Sequence, residues 1–200
     1  TNNIAYVQIG FDALSIPLEK VPYLSLVGNL VLDMGQTKHN YMEISQLLGI
    51  HTGGLRSWHF TSTKIIDHKS LLSRIFFSGK GLMENLDHLF DIWDEVILEY
   101  DFNNPKRLVE IIKSSKASME DSILSSGNHY VLSRLNSYQS SLGQYNELTD
   151  GISYYRFLET LLDRAEKNTD EVAEEFKGVT QSLFTKEKIF MNITAPENDY

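Results

Sequence analysis

Residues Ile4 to Phe11 (IAYVQIGF) are dense in β-branched and aromatic side chains with partial alternation, which predicts a strand closed by the breaker Ser15-Ile16-Pro17. The period then lengthens. Leu24, Val27, Leu30, Val31 and Met34 recur at helical spacing after Pro22, which suits a first helical turn, and Gly35 can supply a left-handed cap. Asn40 and Glu43 have the spacing of a capping box before a short helix ending near Gly49, and Thr52-Gly53-Gly54 marks a turn. Leu55 to Thr63 (LRSWHFTST) and Leu71 to Ser78 (LLSRIFFS) read as a β-hairpin across the polar connection Asp67-His68-Lys69-Ser70.

Beyond the hairpin the pattern is helical. Leu82, Leu86, Leu89, Phe90, Trp93, Val96 and Ile97 form one apolar face ending near Glu99. Asn104-Pro105 opens a long helix carrying Leu108, Ile111, Ile112, Met119 and Ile123 up to the Gly127 break. Shorter helices are predicted over Tyr130 to Tyr138 and Gln144 to Leu148, a stronger one over Ile152 to Arg164, and another from a cap at Asp170 to Phe184. Lys188 to Thr194 has strand composition, with Pro196 ending it. Few strands and many helices in this order predict an α+β fold, a mainly antiparallel sheet with helices packed on one face. No internal repeat and no Ser/Gly/Pro-rich linker divides the chain, so residues 1–200 are expected to form a single domain.

Composition narrows the chemistry. At 200 residues and 42% hydrophobic, the chain can bury roughly 70% of its unfolded surface and needs no disulfide or metal to close a core. The absence of cysteine excludes a disulfide scaffold, a Cys-ligated zinc site, an iron–sulfur cluster and a thiol nucleophile, and leaves the redox compartment open. A net charge of −9 argues against a nucleic-acid or anionic-membrane surface. No apolar run approaches the ~20 residues that span a bilayer, so the chain reads as soluble, with a cytoplasmic location the expectation. Thr1-Asn2-Asn3 lacks an initiator Met and a signal pattern, which suggests a piece of something longer.

Candidate sites are sparse. His88, Asp91 and Glu95 can share one helix face, a spacing that fits a metal site and fits a solvated acidic edge at least as well. Neither His-Glu-x-x-His nor His-x-x-Glu-His occurs. Gly53-Gly54 and Gly79-Lys80-Gly81 are too short for a phosphate-cradling loop and read as turns. In Ser125-Ser126-Gly127-Asn128-His129 a hydroxyl and an imidazole are neighbours, but adjacent side chains diverge, and the segment reads as a cap and loop. Tyr154-Tyr155-Arg156 offers either packed aromatics with an Arg free for an acidic partner or a buried pair with a snorkelling Arg. Asn192-Ile193-Thr194 matches a glycosylation sequon inside a predicted strand. The residues alone therefore support an α+β domain with no visible active site.

Four segments taken together carry a resemblance: TNNIAYVQIGFDA, IPLEKVPYLSLVGNLVLDMGQTKHNYMEISQLLGIHTGG, SSGNHYVLSRLNSYQSSLGQYNELTDGISYYRFLETL and LFTKEKIFMNIT. In order and spacing the chain is similar, over nearly its whole length, to the third homologous domain of the presequence-protease branch of the insulinase/pitrilysin zinc metallopeptidases. The resemblance implies a metallopeptidase-half fold of the processing-peptidase type. It also implies a parent in which four related domains form two bowls closing on an unfolded peptide, with zinc in the first domain only. There, His-x-x-Glu-His lies on the helix after the first strand. Anchored on Met34-Gly35, that register puts Leu26 and Leu30 at the ligand positions and Asn29 at the catalytic Glu. Leucine offers zinc no lone pair and an asparagine amide takes no proton from bound water.

The function so implied is a non-catalytic structural domain of a zinc metalloendopeptidase that degrades unfolded peptides. No residue of this chain is expected to hold metal or cofactor, and zinc belongs to the parent. The expected partners are the other domains of the same polypeptide and the parent's peptide substrates, and the isolated domain is expected to self-associate through surface that normally meets its neighbours. The family's substrate-orienting Arg and Tyr belong to its final domain, so Arg156 and Tyr155 inherit no role. Two alternatives differ in class: a standalone inactive peptidase-like binding or scaffold subunit, and an enzyme with a metal site centred on His88.

Overall fold

The computed structural model describes residues 3–67 and 69–196. Thr1 and Asn2 of the opening segment and His68 of the hairpin connection lie outside the described residues. The chain begins with β1 (Ile4–Asp12) and, after a 3-10 turn over Leu18–Tyr23, forms α1 (Leu24–Asp33) and α2 (Tyr41–His51). The hairpin strands β2 (Leu55–Thr63) and β3 (Leu71–Leu82) follow, then α3 (Leu86–Leu98), α4 (Pro105–Ser125), α5 (Gly127–Ser137) and α6 (Ser141–Asp150). The last elements are α7 (Ile152–Lys167), α8 (Thr169–Leu183) and β4 (Ile189–Thr194).

The strands form one antiparallel sheet in the order β2-β3-β1-β4. Alternation along β1 sends Ala5, Val7, Ile9 and Phe11 into the core, and the register sets Ile75 and Phe77 of β3 beside Phe11 and Ile9 on the same face. Against that face pack Leu26 and Leu30 of α1, Leu89 and Trp93 of α3, and Phe176 and Leu183 of α8, all buried. Each such side chain stabilises the fold by about 1.5–3 kcal/mol through burial, which fixes the helices on one side of the sheet. The sheet's other face stays open at Tyr6, Arg56, Phe60 and Lys80.

Local signals hold at several helix ends. The Asn40 side chain accepts from the amides of Met42 (2.9 Å) and Glu43 (3.2 Å), and the Glu43 carboxylate accepts from the Asn40 amide (2.8 Å), completing the capping box of α2. Asn40→Ala is expected to cost about 1 kcal/mol, read as a lowered urea midpoint. Asn104 accepts from the Arg107 amide at 3.1 Å behind Pro105, and Gly35 takes φ 100° just past α1.

Elsewhere the structure departs from the sequence pattern. Gly79-Lys80-Gly81 is not a turn: it lies within β3, with Gly79 opposite Val7 and Gly81 opposite Ala5. A Cβ at Gly79 would lie 2.5 Å from Leu55 and 3.0 Å from the Trp93 ring, so the missing side chain admits α3 against the strand. Leu82 accordingly ends β3 instead of opening α3. α2 runs past Gly49 to His51, and α8 is capped by Asn168, which accepts from the Glu171 amide (3.4 Å), with Asp170 in its first turn. α5, α6 and α7 exceed their apolar spacing because their ends are polar and solvent-facing; the Ser140 hydroxyl caps α6 by accepting from Gly143 (3.0 Å).

Candidate functional site

Leu26, Asn29 and Leu30, the positions that the resemblance aligns with a zinc motif, sit on α1. Leu26 and Leu30 are 1% and 0% exposed and belong to the core, whereas Asn29 faces outward. Their hydrocarbon does not fit zinc, and among the described residues no three His, Asp or Glu side chains converge to hold an ion. Ser25, one turn before Asn29, donates to the Thr149 carbonyl at 2.7 Å and fastens α1 to α6.

The other candidates disperse. The His88 ring lies tilted against that of His51, centroids 4.2 Å apart and planes 32° off parallel, and Asp91 is exposed. Glu95 departs from the solvated edge: it is buried and paired with His39 Nδ1 at 2.8 and 3.0 Å, because the segment between α1 and α2 folds back onto α3. The Ser125 hydroxyl donates to the Ser122 carbonyl (3.2 Å), and the Ser126 carbonyl accepts from the His129 amide (2.9 Å), so this segment is the junction of α4 and α5. Tyr154 is buried, and burial, with Asp150 nearby, raises its phenol far above the usual range. Tyr155 donates to Glu120 at 2.7 Å, while Arg156 is exposed and makes no ion pair among the described residues. Asn192 lies on the edge strand β4, its amide 3.5 Å from Gln8 Oε1.

One polar concavity was not anticipated from the sequence. A cleft of about 590 Å³ opens between the free edge of β2 and helices α1, α5 and α6, lined by polar side chains that include His59, Thr61, His129, Asn146 and Asp150. His59 Nε2 lies 2.8 Å from Ser73 Oγ, itself 2.9 Å from the Tyr145 hydroxyl, and Thr61 donates to Asn146 at 2.6 Å. Burial drives the His59 imidazole down to about 4, so it is neutral at pH 7. Burial also raises the Asp150 carboxyl, with His129 pulling the other way. His59, Thr61, Ser73, Tyr145 and Asn146 thus present neutral donors and acceptors beside the Asp150 carboxyl. Ser73, the hydroxyl that an imidazole could activate, is buried under Tyr145 and closed to substrate. One sequence signal could have found the cleft: Ser57, His59 and Thr61 are polar at alternate positions of β2 that the register turns toward the helices.

The family model for the domain associated with peptidase M16, subfamily C, matches residues 1–161. The chain belongs to that family. Presequence protease 1 of Arabidopsis thaliana, named chloroplastic/mitochondrial, is 27% identical over 195 residues, covering 98% of this chain and 18% of that protein. The mitochondrial presequence protease of Saccharomyces cerevisiae is 32% identical over 203 residues, covering 98% and 20%. Protein HypA of Clostridium perfringens is 26% identical across the whole chain and 20% of its own length. This peptidase-associated chain thus spans about one fifth of these relatives. Its fold matches a peptidase M16 inactive domain from Pseudomonas fluorescens (TM-score 0.61, 13% identity, 96% of this chain and 41% of that one). The resemblance to the presequence-protease branch and the α+β class both hold. Among the described residues no helix is long and apolar enough to cross a membrane.

Proposed function

We propose that this peptidase-associated chain is a single non-catalytic domain, the third of four, in a zinc metalloendopeptidase that degrades unfolded peptides inside a closed chamber. It builds part of the wall and holds its neighbours in place. The observation that carries this reading is α1: where a hydrolase would present two imidazoles and a carboxylate, Leu26 and Leu30 fill the core and Asn29 looks outward. Burial of the two leucines contributes about 1.5–3 kcal/mol each, so the helix serves packing. Zinc and the catalytic Glu are supplied by another domain of the parent, whose compartment this domain shares; the cytoplasmic assignment applies to a bacterial parent, since the plant and yeast relatives are named for organelles.

Elemental analysis after dialysis, with a cleavage assay on unstructured peptides, tests this directly. The expected result is no retained zinc and no cleavage by this chain; stoichiometric zinc with chelator-sensitive cleavage overturns it.

The exposed sheet edge supports a neighbour there. Ile189, Met191 and Ile193 of β4 are 44%, 48% and 40% exposed, yet pair with Phe11, Ile9 and Val7 and so continue the core face past the last helix. The isolated chain is expected to self-associate through this stripe at high concentration, and Met191→Lys to shift light scattering toward monomer. A strict monomer for the unmodified chain counts against a missing neighbour there.

A further inference from the structure

The sheet face turned away from the helices carries side chains that the fold itself does not use. Trp58, Phe76, Gly10 and Phe190 form one cross-strand row over all four strands. Trp58 stacks on Phe76 (centroids 5.1 Å, interplanar 12°), and Phe76 meets Phe190 edge-on (5.4 Å, 86°). A Cβ on Gly10 would lie 2.1 Å from Phe190, so this glycine lets the Phe190 ring cross β1 and complete the row. Tyr6 and Phe60, 45% and 42% exposed, flank it.

Charge on this face runs against the rest of the chain. Its strand residues include Arg56, Arg74 and Lys80 against the single carboxylate of Asp12, on a chain of net charge −9. Asp12 accepts from the Leu14 amide at 2.9 Å. Arg74 makes no ion pair among the described residues; its guanidinium lies 4.5 Å from the Phe190 ring centre, and its Nε is buried without a hydrogen-bond partner. The buried Nε is closed to a ligand, so an incoming carboxylate would meet the terminal guanidinium nitrogens held over the ring, on a side chain that stands opposite Asp12 in the β1–β3 register. Arg56 and Lys80 border a hollow of about 230 Å³ with Tyr6. Arg74 and Lys80 lie on the same strand about 20 Å apart, at roughly 3.3 Å per residue.

We propose that this open face binds extended peptide segments whose carboxylates, about six residues apart, pair with Arg74 and Lys80 while the apolar side chains between them rest on the aromatic row where it crosses β3 at Phe76. The proposal rests on the reading that the parent handles unfolded peptides, and charge complementarity selects this occupant. A nucleic acid would meet the repulsion of the acidic remainder at every phosphate, whereas a peptide with two carboxylates meets only the local cations.

The chain carries its own reporter, because Trp58 lies on this face and the other tryptophan, Trp93, is buried. The experiment is a fluorescence titration with an unstructured peptide of about twelve residues bearing two glutamates about six apart around leucine and phenylalanine, beside its glutamine and lysine counterparts. The glutamate peptide should quench Trp58 and bind at least about tenfold tighter than the glutamine one, with the preference shrinking at high salt. Arg74→Gln should lose about tenfold, and the exposed Lys80→Gln, which leaves the aromatic row intact, should lose less but in the same direction. Equal binding of the glutamate and glutamine peptides overturns the proposal. So do unchanged affinity in both variants and a dimer in sedimentation that shields Trp58, since association through β4 leaves this face open. A chain that neither cleaves peptides nor discriminates among them overturns this site alone, whereas zinc-dependent cleavage by the chain overturns the proposed function.

Discussion

Replacing Leu26 and Leu30 together by histidine is expected to remove more than about 5 kcal/mol of stability, close to the whole margin of a domain this size. Each substitution gives up about 1.5–3 kcal/mol of burial and leaves a desolvated imidazole without a partner, a further 1–3 kcal/mol or so. The two positions, four residues apart on α1, restore a zinc-like spacing on a helix whose face is sealed against the sheet. Micromolar zinc should therefore give no recovery of the urea midpoint, because a metal stabilises only the folded state whose site it can occupy. Asn29→Glu, on the outward face, should change the midpoint by no more than about 0.5 kcal/mol. A zinc-dependent rise in the midpoint of the double variant would show that α1 retains an open ligand site, contrary to its placement in the core.

Acid should weaken the fold through His59. The folded chain keeps this imidazole neutral down to about pH 4, and the cause is burial. An unfolded histidine titrates near about 6.5. Between those values the unfolded state binds the proton that the folded state refuses, so the His59 contribution to stability is complete above about 6.5, falls as pH drops through the window and is gone below about 4. The loss amounts to up to about 3 kcal/mol. His59→Gln retains a group able to bond Ser73 but cannot titrate, so urea midpoints measured from pH 7 to 4 should fall less steeply than in the unmodified chain. Identical slopes in the two proteins would mean that His59 is hydrated in solution and that the cleft beside β2 is wider than its walls suggest.

The candidate site divides sharply into what residue order revealed and what it hid. What Leu26 and Leu30 cannot do is legible in the residues themselves, because a ligand is a residue type: no conformation gives leucine a lone pair. The β2 cleft was hidden because His59, Thr61, His129 and Asp150 come from three elements that nothing in their local sequence brings together. The polar inward positions of β2 were its only trace. Glu95 shows the same limit on one helix, where spacing gave its face but His39, from another segment, decided that it would be buried and paired.

Local physics sufficed for the element types, since periodicity, Asn40 with Glu43, and Asn104-Pro105 act within a few residues of themselves. It failed at Gly79-Lys80-Gly81, where turn-like residues are held in β3 by pairing with β1 and by the approach of Trp93. The sequence by itself therefore determined the α+β class and the family, and it put leucine, which has no lone pair to offer a metal, at positions 26 and 30. Only the tertiary structure decided the strand order, the polar cleft and the basic aromatic face, because each depends on contacts whose free energy arises between residues far apart in the chain.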